Sequence, residues 1–220
     1  MFKKFIEKLK SLSGEHTSFD PASLNDPLAM QTEWSPAKGG GANFKTHNLV
    51  QITPNRIEFQ ASTGAKLFYL IFALAGVAVL IGFPVASASS NEIAFNIDTI
   101  MPMLIGFIFL CVGSALFYFG TAPVVFDKTK GYFWKGRKSP DQVAKKIMLK
   151  SIADLNKIYA LQLISEYVRG NKSSYYSYEL NLVLKNGKRI NVIDHGNQEK
   201  LRDDADTLAS FLGKPVWDAT

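Results

Sequence analysis

The sequence predicts a membrane protein of the α+β class: a two-helix transmembrane hairpin joined to a small antiparallel β-domain that a C-terminal helix closes. Three observations predict it. No lysine or arginine occurs between Lys66 and Lys128, and that interval holds two long apolar runs. On both sides of it, short alternating or β-branched segments are separated by turn residues. The last stretch is an amphipathic helical pattern that stops at Gly213 and Pro215.

The first run, residues 67–83 (LFYLIFALAGVAVLIGF), continues through small residues to 88, and the second covers residues 100–120 (IMPMLIGFIFLCVGSALFYFG). Each carries eleven Leu, Ile, Val or Phe and no charge. A spanning helix needs about 20 mostly apolar residues. Each such residue at the helix centre favours insertion by roughly 0.3–0.6 kcal/mol. A core helix of a soluble domain keeps one polar face, whereas these runs are apolar all round. A cleaved leader is not expected, because the first run begins far from Met1 and a second follows it. Transmembrane helices are therefore expected at 67–88 and 100–120, with 89–99 as the extracytoplasmic loop.

Charge asymmetry sets the expected orientation. The connecting stretch holds Glu92 and Asp98 but no basic residue, while Arg56 and Lys66 precede the first run and Lys128, Lys130, Lys135, Arg137 and Lys138 follow the second. Basic residues near span ends stay cytoplasmic, so both termini are expected in the cytoplasm of a bacterial inner (plasma) membrane. Phe68 and Tyr69, with Phe117, Tyr118 and Phe119, then fall at one interface, the depth that aromatic rings favour. Small residues at Ala75, Ala78 and Gly82 in the first run, and Gly106 and Gly113 in the second, are candidates for close helix packing. Their alternative reading is the ordinary abundance of Gly and Ala in membrane helices. Neither run contains an ionisable residue, which argues against a pore or pump formed by the hairpin alone. Cys111 is the sole cysteine, so no disulfide framework exists.

Residues 1–14 (MFKKFIEKLKSLSG) repeat Phe2, Phe5, Ile6, Leu9 and Leu12 on one helical face, with Lys3, Lys4, Lys8 and Lys10 elsewhere. Such a helix suits an anionic membrane surface, or alternatively docks on the protein's own soluble part. Residues 15–47, rich in Ser, Pro, Asn and Gly, read as linker. Gly39-Gly40-Gly41 lacks the Lys-Ser/Thr of a phosphate loop. Strands are expected at 48–52 and 56–60, a hairpin that is a candidate member of the β-domain. Within residues 121–220, further strands are expected at 123–126, 131–134, 146–149, 158–168, 175–184 and 189–194. Leu161, Leu163 and Tyr159 are placed on one face. Asn186-Gly187 is read as a type I′ turn. The closing helix is expected at 197–212, with Leu201, Ala205, Leu208 and Leu212 as its buried stripe.

This order of short strands followed by a helix (QEKLRDDADTLASFLG) resembles the pleckstrin-homology-like (PH-like) domains of bacterial membrane proteins. The resemblance implies a small half-open barrel plugged by its last helix, with the transmembrane hairpin inserted in it. An ordinary α+β sheet packed on one helix is the alternative.

Residues able to carry chemistry are few. Asp194-His195 puts a carboxylate beside an imidazole, but neighbouring strand residues point to opposite faces, so a capping role for His195 is expected. Asp203, Asp204 and Asp206 do not converge on a helix and read as a solvated face. No catalytic residue, metal site or cofactor is expected, and the chain is read as non-enzymatic. The basic cluster Lys128, Lys130, Lys135, Arg137, Lys138, Lys145 and Lys146 reads as a topology signal or as a grip on anionic headgroups. The net charge of +6 fits both. Nucleic acid is disfavoured because the cluster lies so close to the membrane.

Two function classes follow. One is a membrane-anchored module whose β-domain binds or scaffolds a protein partner or lipid headgroups. The other is a membrane-resident immunity (antidote) or regulatory protein that neutralises another membrane protein, such as a depolarising toxin. Membrane lipids and a protein are the partners implied, and a homo-oligomer is compatible with both.

Overall fold

The computed structural model describes residues 19–89, 97–142, 151–170 and 173–220. Residues 1–14 with Lys3, Lys4, Lys8 and Lys10, most of the 89–99 loop, Lys145, Lys146 and the strand expected at 146–149 lie outside the described residues. The chain divides into two compact units. One comprises the described part of Met1–Lys45 together with Lys128–Phe133 and Ala153–Thr220, and the other comprises Thr46–Asp127 and Trp134–Ile152.

In the unit formed by Thr46–Asp127 and Trp134–Ile152, strands β1 (His47–Thr53) and β2 (Arg56–Ala61) form the expected first hairpin. Ser62 caps the next helix, its Oγ accepting from the Ala65 N–H at 3.1 Å. Helix α2 (Thr63–Ser89) and helix α3 (Ile97–Gly120) follow, each longer than its expected span. Both contain stretches, Thr63–Ala88 and Ile97–Gly120, that are long and apolar enough to cross a membrane. Their outer faces expose large apolar side chains such as Ile71, Leu74, Ile81, Phe107 and Phe119. Strand β3 (Val124–Asp127) then pairs antiparallel with β2, setting Phe59 opposite Val124 and Ile57 opposite Phe126. The hairpin of residues 48–60 thus belongs to the same sheet as a strand that follows both apolar helices.

Strand β4 (Tyr132–Lys135) and strand β5 (Ile152–Asp154) complete a five-stranded meander in the order β1-β2-β3-β4-β5. On one face of β2 and β3, Ile57, Phe59, Val124 and Phe126 are buried, with the two phenyl rings edge to face at 6.5 Å. On the opposite face Arg56 donates to Glu58 at 2.7 Å, lies 3.6 Å from Asp127 and sits 5.5 Å from the Trp134 ring. One guanidinium thereby compensates two buried carboxylates.

The other unit holds a four-stranded sheet in the order β8-β7-β6-β9. Strands β6 (Ile158–Arg169), β7 (Ser174–Leu184) and β8 (Arg189–His195) are an antiparallel meander. Helix α4 (Gln198–Leu212) is capped by Asn197, whose Oδ1 accepts from the Lys200 N–H at 2.9 Å. Gly213, at φ 65°, ends it in the left-handed conformation that glycine adopts freely. Strand β9 (Val216–Ala219) then returns parallel to β6, with Trp217 opposite Gln162.

The turn between β7 and β8 differs from the expected type I′. Only Gly187 has positive φ. Its N–H donates to the Leu184 carbonyl at 2.8 Å, and the Lys188 carbonyl accepts from the Leu184 N–H at 2.8 Å. This is a three-residue loop in which a tight turn precedes one left-handed glycine. Asn186 acts through its side chain, its Oδ1 accepting from the Lys188 N–H at 3.1 Å.

Alternation gives this second sheet two faces. Leu161, Leu163, Leu180, Leu182 and Val192 lie on the face that packs α4 through Leu201, Ala205 and Leu208. Ala160, Gln162, Glu166, Ser177, Glu179, Asn181, Val183, Arg189 and Trp217 lie on the other. A register shift between Ile158 and Ala160 moves Tyr159 out of the Leu161–Leu163 face. Its ring instead packs 5.8 Å from Trp217.

Candidate functional site

Two surfaces gather the residues that sequence reasoning singled out. The first is the base of the apolar hairpin. Helices α2 and α3 run antiparallel in close contact, so the start of α2 meets the end of α3: a Cβ on Gly120 would lie 2.5 Å from the Tyr69 ring. Lys66, Leu67 and Phe68 are exposed on the first turns of α2, with Tyr118 and Phe119 exposed on the last turn of α3. Arg137 joins them. Its Nη2 donates to the Tyr118 carbonyl at 3.2 Å and to Thr121 Oγ1 at 2.6 Å, and the guanidinium lies 5.1 Å from the Tyr118 ring. A cation here satisfies carbonyls that the helix end leaves without partners.

Among the described residues of the basic cluster, Arg137 is hydrogen-bonded at the end of α3. β3 carries the chain away from Thr121 and β4 brings it back, the Gly136 N–H donating to the Pro123 carbonyl at 2.8 Å. Arg137 and Lys138, both exposed, therefore return to the end of α3. Lys128 and Lys130 stay at the far turn, where Lys128 Nζ lies 4.4 Å from the Phe211 ring. Lys135 closes β4 and its side chain is half-buried.

Of the small residues expected to pack, Gly106 and Gly113 are buried in the helix contact. A Cβ on Gly113 would meet the backbone of Ala73 and lie 2.7 Å from the Phe72 carbonyl carbon. Ala75 and Ala78 are exposed, and among the described residues a Cβ on Gly82 would meet nothing within 4 Å. The contact runs along Tyr69, Ala73, Gly76 and Leu80 instead. That stripe lies about 160° round the helix, nearly opposite the expected one. Gly76, which the sequence reading passed over, is the tightest point on α2: its Cβ would lie 2.6 Å from the Gly106 carbonyl oxygen and 2.8 Å from Leu110 Cα.

The second surface is the sheet face opposite α4. The segment expected as linker crosses it as an ordered strap. A short turn at Pro21–Leu24 and helix α1 (Pro27–Gln31) begin it, capped by Asp20 and Asp26. Its apolar half is a cluster of Ala29, Ala160, Val183 and Trp217, with Leu24, Leu28, Trp34 and Tyr159 around it. The Trp34 ring lies 5.9 Å from that of Trp217, tilted by 38°, and its Nε1 donates to the Ala29 carbonyl at 2.9 Å. The Tyr159 hydroxyl donates to Asp26 at 3.0 Å.

The other half is polar. Glu179, 2 % exposed, accepts from the N–H groups of Ala37 and Lys38 at 2.7 and 2.6 Å. It also accepts from Asn181 and Asn191 at 3.0 and 3.1 Å. Glu166 accepts from Gly40 at 2.9 Å and Gly41 at 3.3 Å. Gln162 donates to the Glu33 carbonyl at 2.9 Å, and Arg189 donates to the Ser35 carbonyl at 2.6 Å and to Glu33 at 3.0 Å. None of this was visible in local sequence pattern.

The Asp194-His195 pair separates as alternation requires. Asp194 faces the strap, accepting from Asn191 at 2.9 Å and lying 3.7 Å from Lys38. His195 is fully buried, and its Nδ1 accepts from the Asn197 N–H at 2.9 Å, the capping role expected of it. Burial holds the imidazole below its ordinary value of 6.5. Asp203 pairs with Lys200 at 3.0 Å on the exposed side of α4. Asp204 is half-buried, and desolvation pushes its carboxyl up to about 6, against the opposing pull of Lys45 and Lys200. Among the described residues, no three His, Cys, Asp or Glu are grouped to hold a metal ion.

Comparison with family models, curated proteins and solved structures gives no match to this chain.

Proposed function

We propose that this chain is a membrane-anchored, non-enzymatic binding module. Helices α2 and α3 cross a bacterial inner membrane as a hairpin, both termini face the cytoplasm, and the β-domain holds a protein partner or anionic lipid headgroups. One observation carries the reading: Lys66, Arg137 and Lys138 share one end of the hairpin with exposed Phe68, Tyr118 and Phe119. The sequence between Lys66 and Lys128 supplies no cation for the other end. That asymmetry is what the positive-inside tendency and the aromatic belt produce together. Near an anionic leaflet each cation contributes about 1 kcal/mol. A PH-like reading of the β-domain is supported by a five-stranded meander, a second meander and a closing helix, while the parallel β9 is an addition to that plan.

The reading is tested by cysteine accessibility in a Cys111→Ala background. Ser89→Cys, at the end of α2, is expected to react with a membrane-impermeant thiol reagent in intact cells. Ser210→Cys, exposed on α4, is expected to react only after permeabilisation. The reverse pattern defeats the orientation, and labelling of both in intact cells defeats the spanning hairpin.

A further inference from the structure

We propose that the polar half of the strap-facing surface on β6, β7 and β8 is a docking groove for a peptide that bends over it at glycine. Residues 33–42 occupy it in cis as a displaceable ligand, with α1 seated on the apolar half beside it. The partner segment has an aromatic anchor and small residues three to seven positions later, the pattern set by Trp34, Ala37, Gly40 and Gly41. The proposal deepens the binding-module reading by naming its surface.

The contacts read main chain. Side chains of the sheet engage the Glu33 and Ser35 carbonyls, the N–H groups of Ala37, Lys38, Gly40 and Gly41, and the Gly41 carbonyl, to which the Tyr175 hydroxyl donates at 2.9 Å. Side chains that grip a bent main chain in this way give affinity from the backbone and leave selectivity to a few side-chain pockets. Here selectivity lies at Trp34, which fills the apolar end, and at Gly41, where a Cβ would lie 2.9 Å from Ser177 Cβ. A permanent cover has no need of such a face, because buried carboxylates and amides cost stability unless every group finds a partner.

The cis segment leaves two of them without one. Among the described residues, Ser177 Oγ and Asn181 Oδ1 are buried beneath it with no hydrogen-bond partner. A segment with a polar side chain facing Asn181 supplies what the strap lacks there, while glycine is kept opposite Ser177. The strap also remains accessible: Ser35, Ala37, Lys38, Gly39 and Gly40 are exposed. Three consecutive glycines raise the entropic cost of holding it in place.

The test uses the full chain in detergent micelles, so it reads the groove independently of membrane orientation. Hydrogen exchange follows the strap amides and β6–β7, and a fluorescent synthetic peptide of residues 27–42 serves as trans ligand. The chains compared are wild type, Gly41→Val, and Trp34→Ala combined with Gly41→Val. The Gly41→Val chain is expected to lose protection at Ala37–Gly41 while β6–β7 stays protected. It should bind the peptide at least about tenfold more tightly than wild type, because the cis copy no longer competes at high effective concentration. Adding Glu179→Gln to it, or Trp34→Ala to the peptide, is expected to abolish that gain. Three results each overturn the proposal: strap amides still protected in the double variant, a released strap with no peptide binding, or loss of β6–β7 protection along with the strap.

Discussion

Substitution of Gly113 by alanine tests the helix contact at its tightest point. An added Cβ would meet Ala73 backbone and sit 2.7 Å from Ala73 Cα and Phe72 C, at least 0.7 Å short of the 3.4 Å at which ordinary contact begins. Neither atom belongs to a side chain that can rotate away, so the helices must separate by roughly that distance. A gap of 0.5–1 Å forfeits about a quarter to a half of each contact's attraction, and each atom pair is worth about 0.1–0.2 kcal/mol. Over a few tens of pairs the loss is about 1–2 kcal/mol, in the range of other overpacked cores. Gly82→Ala is the matched control, because among the described residues nothing lies within 4 Å of its Cβ position. It keeps only the gain of about 1 kcal/mol that alanine has over glycine in a helix. The assay is reversible unfolding in mixed micelles titrated with a denaturing detergent, followed by far-UV circular dichroism. Gly113→Ala is expected to unfold earlier than wild type and Gly82→Ala at the same point or later. Equal midpoints for the two variants would refute the packing argument.

Further expectations concern the β-domain. Asp204 has a folded-state pKa raised from 3.8 to about 6. Its contribution to stability is therefore fully present below about pH 4 and lost as the pH rises through 6. Full burial would make that loss about 3 kcal/mol, and solvent screening of a half-exposed carboxylate cuts it to about 1–2 kcal/mol. Asp204→Asn should stabilise the protein by that amount at pH 7.5 and by little at pH 4; equal chemical-denaturation midpoints for variant and wild type at pH 7.5 would sink this. His195 acts in the opposite sense: its lowered pKa gives stability present above pH 6.5 and lost on acidification, so His195→Gln should flatten the acid limb of the same curve. A chain of residues 121–220 lacks β1 and β2, the strands beside β3, and should unfold without cooperativity. Fusing residues 48–60 ahead of it through a flexible linker should restore a sharp transition, and a cooperative fold of 121–220 alone would show those strands to be dispensable.

The elements legible from sequence are those whose pattern is local. Alternation placed Leu180 and Leu182 on one side of β7, and a helical stripe placed Leu201, Ala205 and Leu208 under α4, because burial on one face of a regular element leaves that trace. β9 left none: four residues after Gly213 and Pro215 are too few to alternate, and their pairing with β6 is parallel and remote. The strap reads as linker because its anchors are carboxylates up to 142 positions away, as in the Ala37 N–H to Glu179 bond. A polar, glycine-rich composition is the same whether or not distant side chains capture its backbone. On α2 the small residues Ala75, Ala78 and Gly82 gave a plausible stripe, yet helix contact was decided by how closely backbones approach at Gly76 and Gly113. That quantity depends on both helices at once.

The apolar hairpin lies between two strands that are neighbours in one sheet. Only Ser62 separates β2 from α2, and three residues separate α3 from β3. During synthesis β1 and β2 emerge first and must wait until both helices have been made before β3 arrives. Closing so long an intervening loop would be costly for a flexible chain. Once the two helices have paired, however, they hold Ala61 and Val124 at one end, and the sheet closes as easily as a short turn. Helix pairing thereby favours completion of the sheet, and a failed pairing leaves the β2 edge open.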